Sequence, residues 1–290
     1  MFTSVLVGLD ASHASQVALA QAILIGRRFR SRVVLAHVLE REPIGSGLAR
    51  AVGASWMERW TTATGSEEVE RAARELLEDA AAAVRRAGLQ AEVALRTGDV
   101  VEVLHELSEG VGVVVVGRAG AKAGADPLGP DVRALVRKLH RPMLVCGGAT
   151  SPMDRCLVAY GGSSLGEQAL TFAARYAAIT DAHLDVVHVT TDPEAGRTVL
   201  ARAAHVLSVT PVRFETHLVE GSLEEGIADA VRRLAVNAAF AGAQRADGEQ
   251  LVASHTEVIL RATDIPVLVH AQPFTPSLRA SGAHRHPASG

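Results

Sequence analysis

The chain has 290 residues, of which 48% are hydrophobic and 21% charged, the balance of a folded globular protein with room for two ordinary domains. Its formal net charge is −3, from 29 Lys and Arg against 32 Asp and Glu. This charge argues against a nucleic-acid-binding surface and against attraction to an anionic membrane, so neither partner is expected.

The cysteines and the apolar runs bear on the cellular compartment. Cys146 and Cys156 form neither a CxxC pair nor a disulfide framework, which fits a reducing environment. No cationic start followed by a long apolar stretch precedes the first predicted strand, and the longest apolar runs have the length of strands. We therefore expect a cytoplasmic protein.

The first half of the chain alternates short apolar runs with patterns of helical spacing. Strands are predicted at residues 4–9, 32–39, 91–95, 112–116 and 142–146, with helices near 17–25, 67–87, 99–109 and 131–139. The strands are almost continuously apolar, as strands buried on both faces are. This alternation predicts a parallel sheet with helices on both faces and right-handed crossovers.

The pattern restarts near Ser151, so the chain is a repeat. Strands of the second half are predicted at residues 156–160, 183–189, 213–219, 238–241 and 266–269. We predict an α/β, Rossmann-like fold of two tandem doubly wound parallel five-stranded sheets, with one domain over 1–150 and a second over 151–272. Residues 273–290 are rich in Pro, Ser, Gly and Ala without periodicity, and we expect them to be a disordered tail.

Three motifs recur in the same order in both halves. They are a strand followed by Asp10-Ala-Ser12 or Gly161-Gly-Ser163, a strand ending in His37-Val38 or His188-Val189, and a loop beginning Gly117-Arg-Ala-Gly120 or Gly242-Ala-Gln-Arg245 before a Pro-x-Leu-Val strand. No single motif is specific, but their order and duplication are. Over nearly the whole chain apart from the tail, the sequence resembles a tandem member of the universal stress protein family.

The resemblance implies a nucleotide site in the first half. In ATP-binding members of that family, glycines hold the phosphates and the Asp after the first strand contacts the nucleoside. Glycines allow the backbone to approach a ligand closely, and the N–H groups at a helix start attract anions. The resemblance thus implies that ATP or another adenine nucleotide, with Mg²⁺, contacts Gly8, Asp10, Val38, Val116, Gly117, Gly120 and Gly129.

Two departures weaken this expected site. The loop between Gly120 and Gly129 is one residue shorter than in the family, and Pro130 stands where the family has Ser or Thr. Proline has no N–H, so one phosphate donor and one hydroxyl are lost together, although the first turn of a helix tolerates proline well. Lys122 or Arg118 offers a compensating positive charge.

The second half departs further from the family pattern. Gly161 stands in the place of the Asp, Arg245 in that of the second glycine and Ala253 in that of the third, while Gly242 and Ser254 remain. We predict that the second half binds no ATP and serves as a partner domain for the first. Family members pair through their last strands, which implies an intramolecular pseudo-dimer of Met143–Cys146 with Val267–His270, or a homodimer.

Two segments stand apart from these motifs. The insertion over residues 41–66 carries Trp56 and Trp60 one helical turn apart, which suits a lid over the site, an interface patch or a small satellite core. The tail carries His284 and His286, and two ligands without a third do not make a specific metal site.

Three functions follow from these observations. The first is a cytoplasmic stress-response regulator whose occupancy by an adenine nucleotide changes its surface for a protein partner. The second is a nucleotide-free interaction protein that uses vestigial sites. The third, a weak ATPase or an adenylate-transferring enzyme, lacks a recognisable base or set of metal-binding carboxylates, so regulation is favoured over catalysis.

Overall fold

The computed structural model describes residues 1–40, 66–120, 126–242 and 255–270. Trp56, Trp60, Lys122 and the tail over 273–290 lie outside these residues, as do Arg245, Ala253 and Ser254 of the second loop. The described strands are β1 (Ser4–Gly8), β2 (Arg32–Leu39), β3 (Ala91–Thr97), β4 (Val113–Gly117), β5 (Met143–Cys146), β6 (Arg155–Ala159), β7 (His183–Thr190), β8 (Arg213–Glu220), β9 (Ala238–Gly242) and β10 (Val267–His270).

The helices described between these strands follow the same repeat. They are α1 (His13–Phe29), α2 (Ser66–Arg86), α3 (Val100–Ser108) and α4 (Pro130–Lys138) in the first repeat, and α5 (Ser164–Thr180), α6 (Pro193–Ser208), α7 (Leu223–Arg233) and α8 (His255–Ala262) in the second. The tandem α/β organisation predicted from the sequence is confirmed.

The described strands form one sheet in the order β3-β2-β1-β4-β5-β10-β9-β6-β7-β8. Within each repeat the neighbouring strands are parallel, and β1 and β6 each lie at the point where the strand order reverses. Such a reversal opens a crevice at the carboxyl ends of the two central strands, where doubly wound sheets bind ligands. Each repeat therefore presents one crevice of this kind.

The two repeats join edge to edge. β5 and β10 pair in antiparallel fashion, with Leu144 opposite Leu268 and Val145 opposite Val267. This is the pairing of last strands that the family resemblance implied, and it merges two five-stranded parallel sheets into one. The join satisfies two strand edges that would otherwise expose unpaired backbone groups.

Apolar side chains fill a layer on each face of the sheet. On one face, Val7 and Leu35 of the first repeat belong to the same buried cluster as Val158 and Val186 of the second, together with residues of α1 and α5. On the other face, Val116 and Val145 share a cluster with Ala239 and Val267, together with residues of α4 and α8. Both layers run across the β5–β10 join, so the repeats share their cores.

Candidate functional site

The site implied by the sequence lies at the carboxyl ends of β1, β2 and β4. β1 pairs with β2 through Gly8 and Ala36, and with β4 through Val7 and Val115. The three strands are parallel and adjacent, so Gly8, Val38 and Val116 all lie at the same edge of the sheet. Packing is tight there, since a Cβ placed on Gly8 would lie 3.2 Å from Leu104 and 3.4 Å from Val116.

Asp10 organises the turn that leads from β1 into α1. Its Oδ1 accepts a hydrogen bond from the Ser12 N–H at 2.9 Å and another from the Ser12 hydroxyl. Ser12 in turn caps α1, because its Oγ accepts from the Ser15 N–H at 3.1 Å. The carboxylate is thereby fixed in orientation at the mouth of the crevice.

The other carboxylate oxygen of Asp10 faces the glycine loop. A Cβ placed on Gly120 would lie 2.7 Å from Asp10 Oδ2, closer than real Cβ contacts. Gly120 therefore lets the loop backbone come up against the carboxylate, which a larger side chain would prevent. The sequence predicted that these two residues share one site, and the structure brings them together.

Gly117 has a packing role that does not depend on a ligand. A Cβ at this position would lie 2.5 Å from the carbonyl carbon of Ala14 in α1. Gly242, at the end of β9, is equally close to a helix, since a Cβ placed on it would lie 2.6 Å from the carbonyl oxygen of Leu165 in α5. Glycine is thus kept at this position in both repeats, although the second repeat has lost the rest of the loop pattern. The close packing of a helix against the strand end explains the glycine in each case.

The start of α4 offers an anion fewer N–H groups than the sequence suggested. Gly129 is the N-cap residue and Pro130 occupies the first turn, as expected. The Gly129 N–H donates to the Arg118 carbonyl at 3.0 Å, and Pro130 has no N–H. Asp131 adds a carboxylate to the same first turn, a feature that the sequence reasoning overlooked. The helix terminus therefore attracts phosphate less strongly than a helix start with open N–H groups.

Arg118 does not supply the compensating charge at the crevice. Its side chain is buried and turned toward the second repeat, where Nη2 lies 3.4 Å from the Ile265 carbonyl and Nη1 3.9 Å from Asp264 Oδ1. The suggestion that Arg118 contacts phosphate is therefore corrected: the guanidinium belongs to the contact between the repeats.

A second link joins the glycine loop to the other repeat. Asp126, four residues before the start of α4, receives hydrogen bonds from Arg261 of α8 at 2.7 Å and 2.9 Å. Arg133 of α4 lies 3.1 Å from the same carboxylate. These contacts hold the pKa of the Asp126 carboxyl below its ordinary range. No sequence motif marks Asp126 or Arg261, because the pairing exists only across the β5–β10 join.

The corresponding crevice of the second repeat lacks the acidic residue. Gly161 takes the place of Asp10, and a Cβ on Gly161 would meet nothing within 4 Å. Ser163 still caps α5 by accepting from the Gly166 N–H at 3.1 Å. The turn is thus preserved as structure, while the carboxylate that faces the loop in the first repeat is missing.

One hydrogen bond is repeated in both halves. His37 Nδ1 lies 2.8 Å from the Leu9 carbonyl, and His188 Nδ1 lies 2.8 Å from the Tyr160 carbonyl. In each case the imidazole joins the end of the second strand of the repeat to the turn after the first strand. The imidazole thus has the same structural role in both repeats.

The Universal stress protein family model matches residues 1–147 and again residues 153–270. The chain belongs to the universal stress protein family. The universal stress protein Slr1230 of Synechocystis sp. is 28% identical to it over 193 residues, covering 64% of this chain and 67% of that protein. The duplicated match agrees with the tandem sheet.

Solved structures share the fold of this universal stress protein. A universal stress protein from Archaeoglobus fulgidus matches with a TM-score of 0.75 at 20% identity, covering 93% of this chain and 98% of that one. A putative universal stress protein from Pseudomonas aeruginosa matches with a TM-score of 0.65 at 20% identity, covering 94% of each chain. At this identity the likeness concerns the fold alone.

The thiols of this universal stress protein are poorly suited to nucleophilic chemistry. Cys146 and Cys156 are both buried, and burial raises the pKa of each thiol to about 12. Thiols of this kind are protonated and unreactive at neutral pH.

Among the described residues, no helix is both long and apolar enough to span a membrane.

Proposed function

We propose that this chain is a cytoplasmic regulatory universal stress protein whose first repeat binds ATP or another adenine nucleotide with Mg²⁺. The second repeat binds none and acts as its partner domain. The observation that carries the proposal is the close approach of the Gly120 backbone to the Asp10 carboxylate, which leaves no room for a Cβ, at the reversal of strand order. A glycine loop beside a fixed carboxylate, at the carboxyl ends of parallel strands, suits a nucleotide. The carboxylate would meet the sugar, and the glycine loop would meet the phosphates.

The proposed ligand contacts follow from this arrangement. Asp10 would accept from nucleoside hydroxyls, and half-buried Val38 at the same sheet edge would cover the apolar part of the ligand. Val116 is buried beside it and would support the site by packing. The backbone of Gly120 and Gly129 supplies the surface for the phosphates, since a Cβ on Gly129 would lie only 3.6 Å from the Gly120 nitrogen. Gly8 and Gly117 support the site by packing.

The hydrogen-bond donors at the start of α4 predict weaker nucleotide binding than in a family member whose loop has all of its N–H groups open. The Gly129 N–H is already bonded and Pro130 has none, so two of the donors nearest the helix start are withheld. A hydrogen bond to a charged group contributes about 1.5–3 kcal/mol, and about 1.4 kcal/mol corresponds to a tenfold change in Kd. We therefore expect the affinity to be at least about tenfold below that of a loop that offers both donors.

Calorimetric titration of the nucleotide-free chain with Mg·ATP tests the proposal. One site per chain is expected, and Gly120→Val should abolish it because the new side chain collides with Asp10. Gly110→Val is the matched control, since a Cβ on Gly110 would meet nothing within 4 Å. Equal binding by both variants would contradict the loop assignment, and two equivalent sites per chain would contradict the role given to the second repeat.

A nucleotide-free interaction protein is the second candidate. It is favoured by the burial of Arg118 between the repeats and by the bonded Gly129 N–H. Absence of heat up to about 1 mM Mg·ATP, where binding is worth only about 4 kcal/mol, would select this function instead.

A further inference from the structure

A cluster of metal-binding side chains lies in the second repeat, away from the nucleotide crevice. His183 and Asp185 lie on β7, and Glu215 and His217 lie on the neighbouring edge strand β8. Asp185 and Glu215 are register partners. Because alternate residues of a strand share a face, all four side chains project from the same side of the sheet.

The ligand atoms of this cluster are already close together. One ligand atom each from His183, Asp185 and Glu215 lies within 4.8 Å of the other two. His217 Nε2 lies 2.8 Å from Asp185 Oδ1 and 3.9 Å from Glu215 Oε2. His183 Nε2 lies 3.6 Å from Asp185 Oδ1. Ligands at about 2.0–2.1 Å in a tetrahedron are roughly 3.4 Å apart, and the three distances from the imidazoles to the carboxylates lie on either side of that spacing.

His183 points to a missing ligand most directly. Its Nε2 is buried and has no hydrogen-bond partner among the described residues. The distance of 3.6 Å to Asp185 is too long for a hydrogen bond. A buried ring nitrogen normally has a partner, and a metal ion between the imidazole and the carboxylate would provide one.

Arg155 orients one member of the cluster, Asp185, and is not itself a candidate ligand. Its Nε donates to Asp185 Oδ2 at 2.9 Å and its Nη2 to Oδ1 at 3.2 Å, which fixes the carboxylate in orientation. Asp185 is fully buried, so the arginine also balances its charge when no cation is present. Hydrogen bonds that orient a ligating carboxylate are a regular feature of metal sites.

We propose that His183, Asp185, Glu215 and His217 form a binding site for a divalent transition-metal ion of the zinc type. Two imidazoles with two carboxylates suit zinc and do not suit Mg²⁺, which prefers oxygen ligands alone. Exposed Glu215 on the edge strand gives the ion a path from solvent. Binding takes the proton from His217 Nε2, or moves it to Nδ1, so that the nitrogen lone pair faces the metal.

The first repeat lacks this site. With His37 matched to His188, Arg32 and Val34 take the places of His183 and Asp185. Glu92 matches Glu215, and Ala94 matches His217. Three of the four ligand types are therefore absent, so one metal ion per chain is expected.

Calorimetric titration of the chelator-treated full chain with zinc chloride tests the site. The background carries His284→Gln and His286→Gln, so that the His-x-His pair of the tail does not contribute. One zinc ion per chain is expected, and His183→Gln and Glu215→Gln should each weaken binding by roughly 10–100-fold or more, since even outer-shell losses cost that much. His205→Gln, at an exposed position of α6, is the matched control and should leave binding unchanged.

Thermal unfolding gives a second readout. Zinc should raise the Tm of the background chain and of His205→Gln, but not that of His183→Gln, because a ligand that binds only the folded state stabilises it. Undiminished zinc affinity in both His183→Gln and Glu215→Gln would overturn the proposal. So would the absence of zinc binding up to about 0.1 mM, or binding of Mg²⁺ in preference to zinc, given the nitrogen ligands.

Discussion

Asp126 of the first repeat and Arg261 of the second form a bidentate ion pair, with nitrogen–oxygen distances of 2.7 Å and 2.9 Å. The carboxylate belongs to the segment that connects Gly120 with Gly129, whereas the guanidinium lies on α8. The second repeat, which lacks the nucleotide pattern, thereby contacts the described residue Asp126 just before Gly129 of the first repeat.

This pair predicts that the second repeat influences nucleotide affinity. Arg261→Gln should weaken Mg·ATP binding several-fold, because a loop that is less fixed loses more conformational freedom on binding. Arg232→Gln, which removes an exposed pair within one helix, should have no effect. Calorimetry of both variants beside the unaltered chain provides the measurement. Equal affinity in all three would mean that the repeats are joined structurally but not functionally.

Pro130 predicts a gain of affinity on substitution. Pro130→Ser should tighten Mg·ATP binding by about tenfold, since it restores one N–H and one hydroxyl at the start of α4. Pro130→Ala restores the N–H alone and should give part of the gain. If neither variant binds more tightly in the same titration, the phosphates do not lie at this helix terminus.

The two tight glycines predict different losses of stability. Gly117→Ala and Gly242→Ala should each lower the free energy of unfolding by about 1–3 kcal/mol, because their Cβ atoms collide with helix backbone. Gly120→Ala should cost less, because its Cβ would meet a side-chain oxygen of Asp10, which yields more readily than helix backbone. Urea unfolding followed by circular dichroism compares them. A loss for Gly120→Ala as large as that for Gly117→Ala would show that Asp10 cannot move.

His37 predicts acid sensitivity. Burial lowers the pKa of its imidazole below the ordinary value of about 6.5, so the unfolded chain takes up the proton more readily than the folded one. The neutral ring therefore contributes stability that is present above about pH 6.5 and lost as the pH falls toward the folded pKa.

His37→Asn isolates this effect, since the amide keeps a donor for the Leu9 carbonyl but does not titrate. The variant should lose less stability than the unaltered chain between about pH 7 and pH 5 in urea titrations. Burial also lowers the pKa of His270, so the variant should retain some pH dependence. Identical slopes in both proteins would contradict the assignment to His37.

The sheet could be predicted because its signals are local. Near-continuous apolar strands indicated burial on both faces, which is correct for the central strands and wrong for the edge strands β3 and β8, most of whose residues are exposed or half-buried. The restart near Ser151 indicated duplication. The join of Met143–Cys146 to Val267–His270 came from family resemblance rather than from any residue pattern, and the structure has it.

The site was only partly accessible from sequence. Asp10 and Gly120 were named because the family resemblance implies them, and both come after a strand end, where doubly wound sheets bind ligands. The direction of Arg118 was not predictable, because it depends on which repeat lies beside the loop. The His183 cluster was missed because its members are alternate residues of two strands, and only their register makes them neighbours. A usable signal existed in the buried strand at 183–189, where Asp185 interrupts an apolar run.

The β5–β10 join is formed within one chain, so its formation does not depend on protein concentration. In a symmetric dimer, every substitution would appear twice, and damage to one crevice would damage both. Covalent linkage removes that constraint. The first repeat can keep a carboxylate that faces its glycine loop. In the second repeat the matching crevice has only a structural role, and the outer strands carry imidazoles instead. Tandem fusion thus allows a division of labour that an assembly of identical subunits cannot reach.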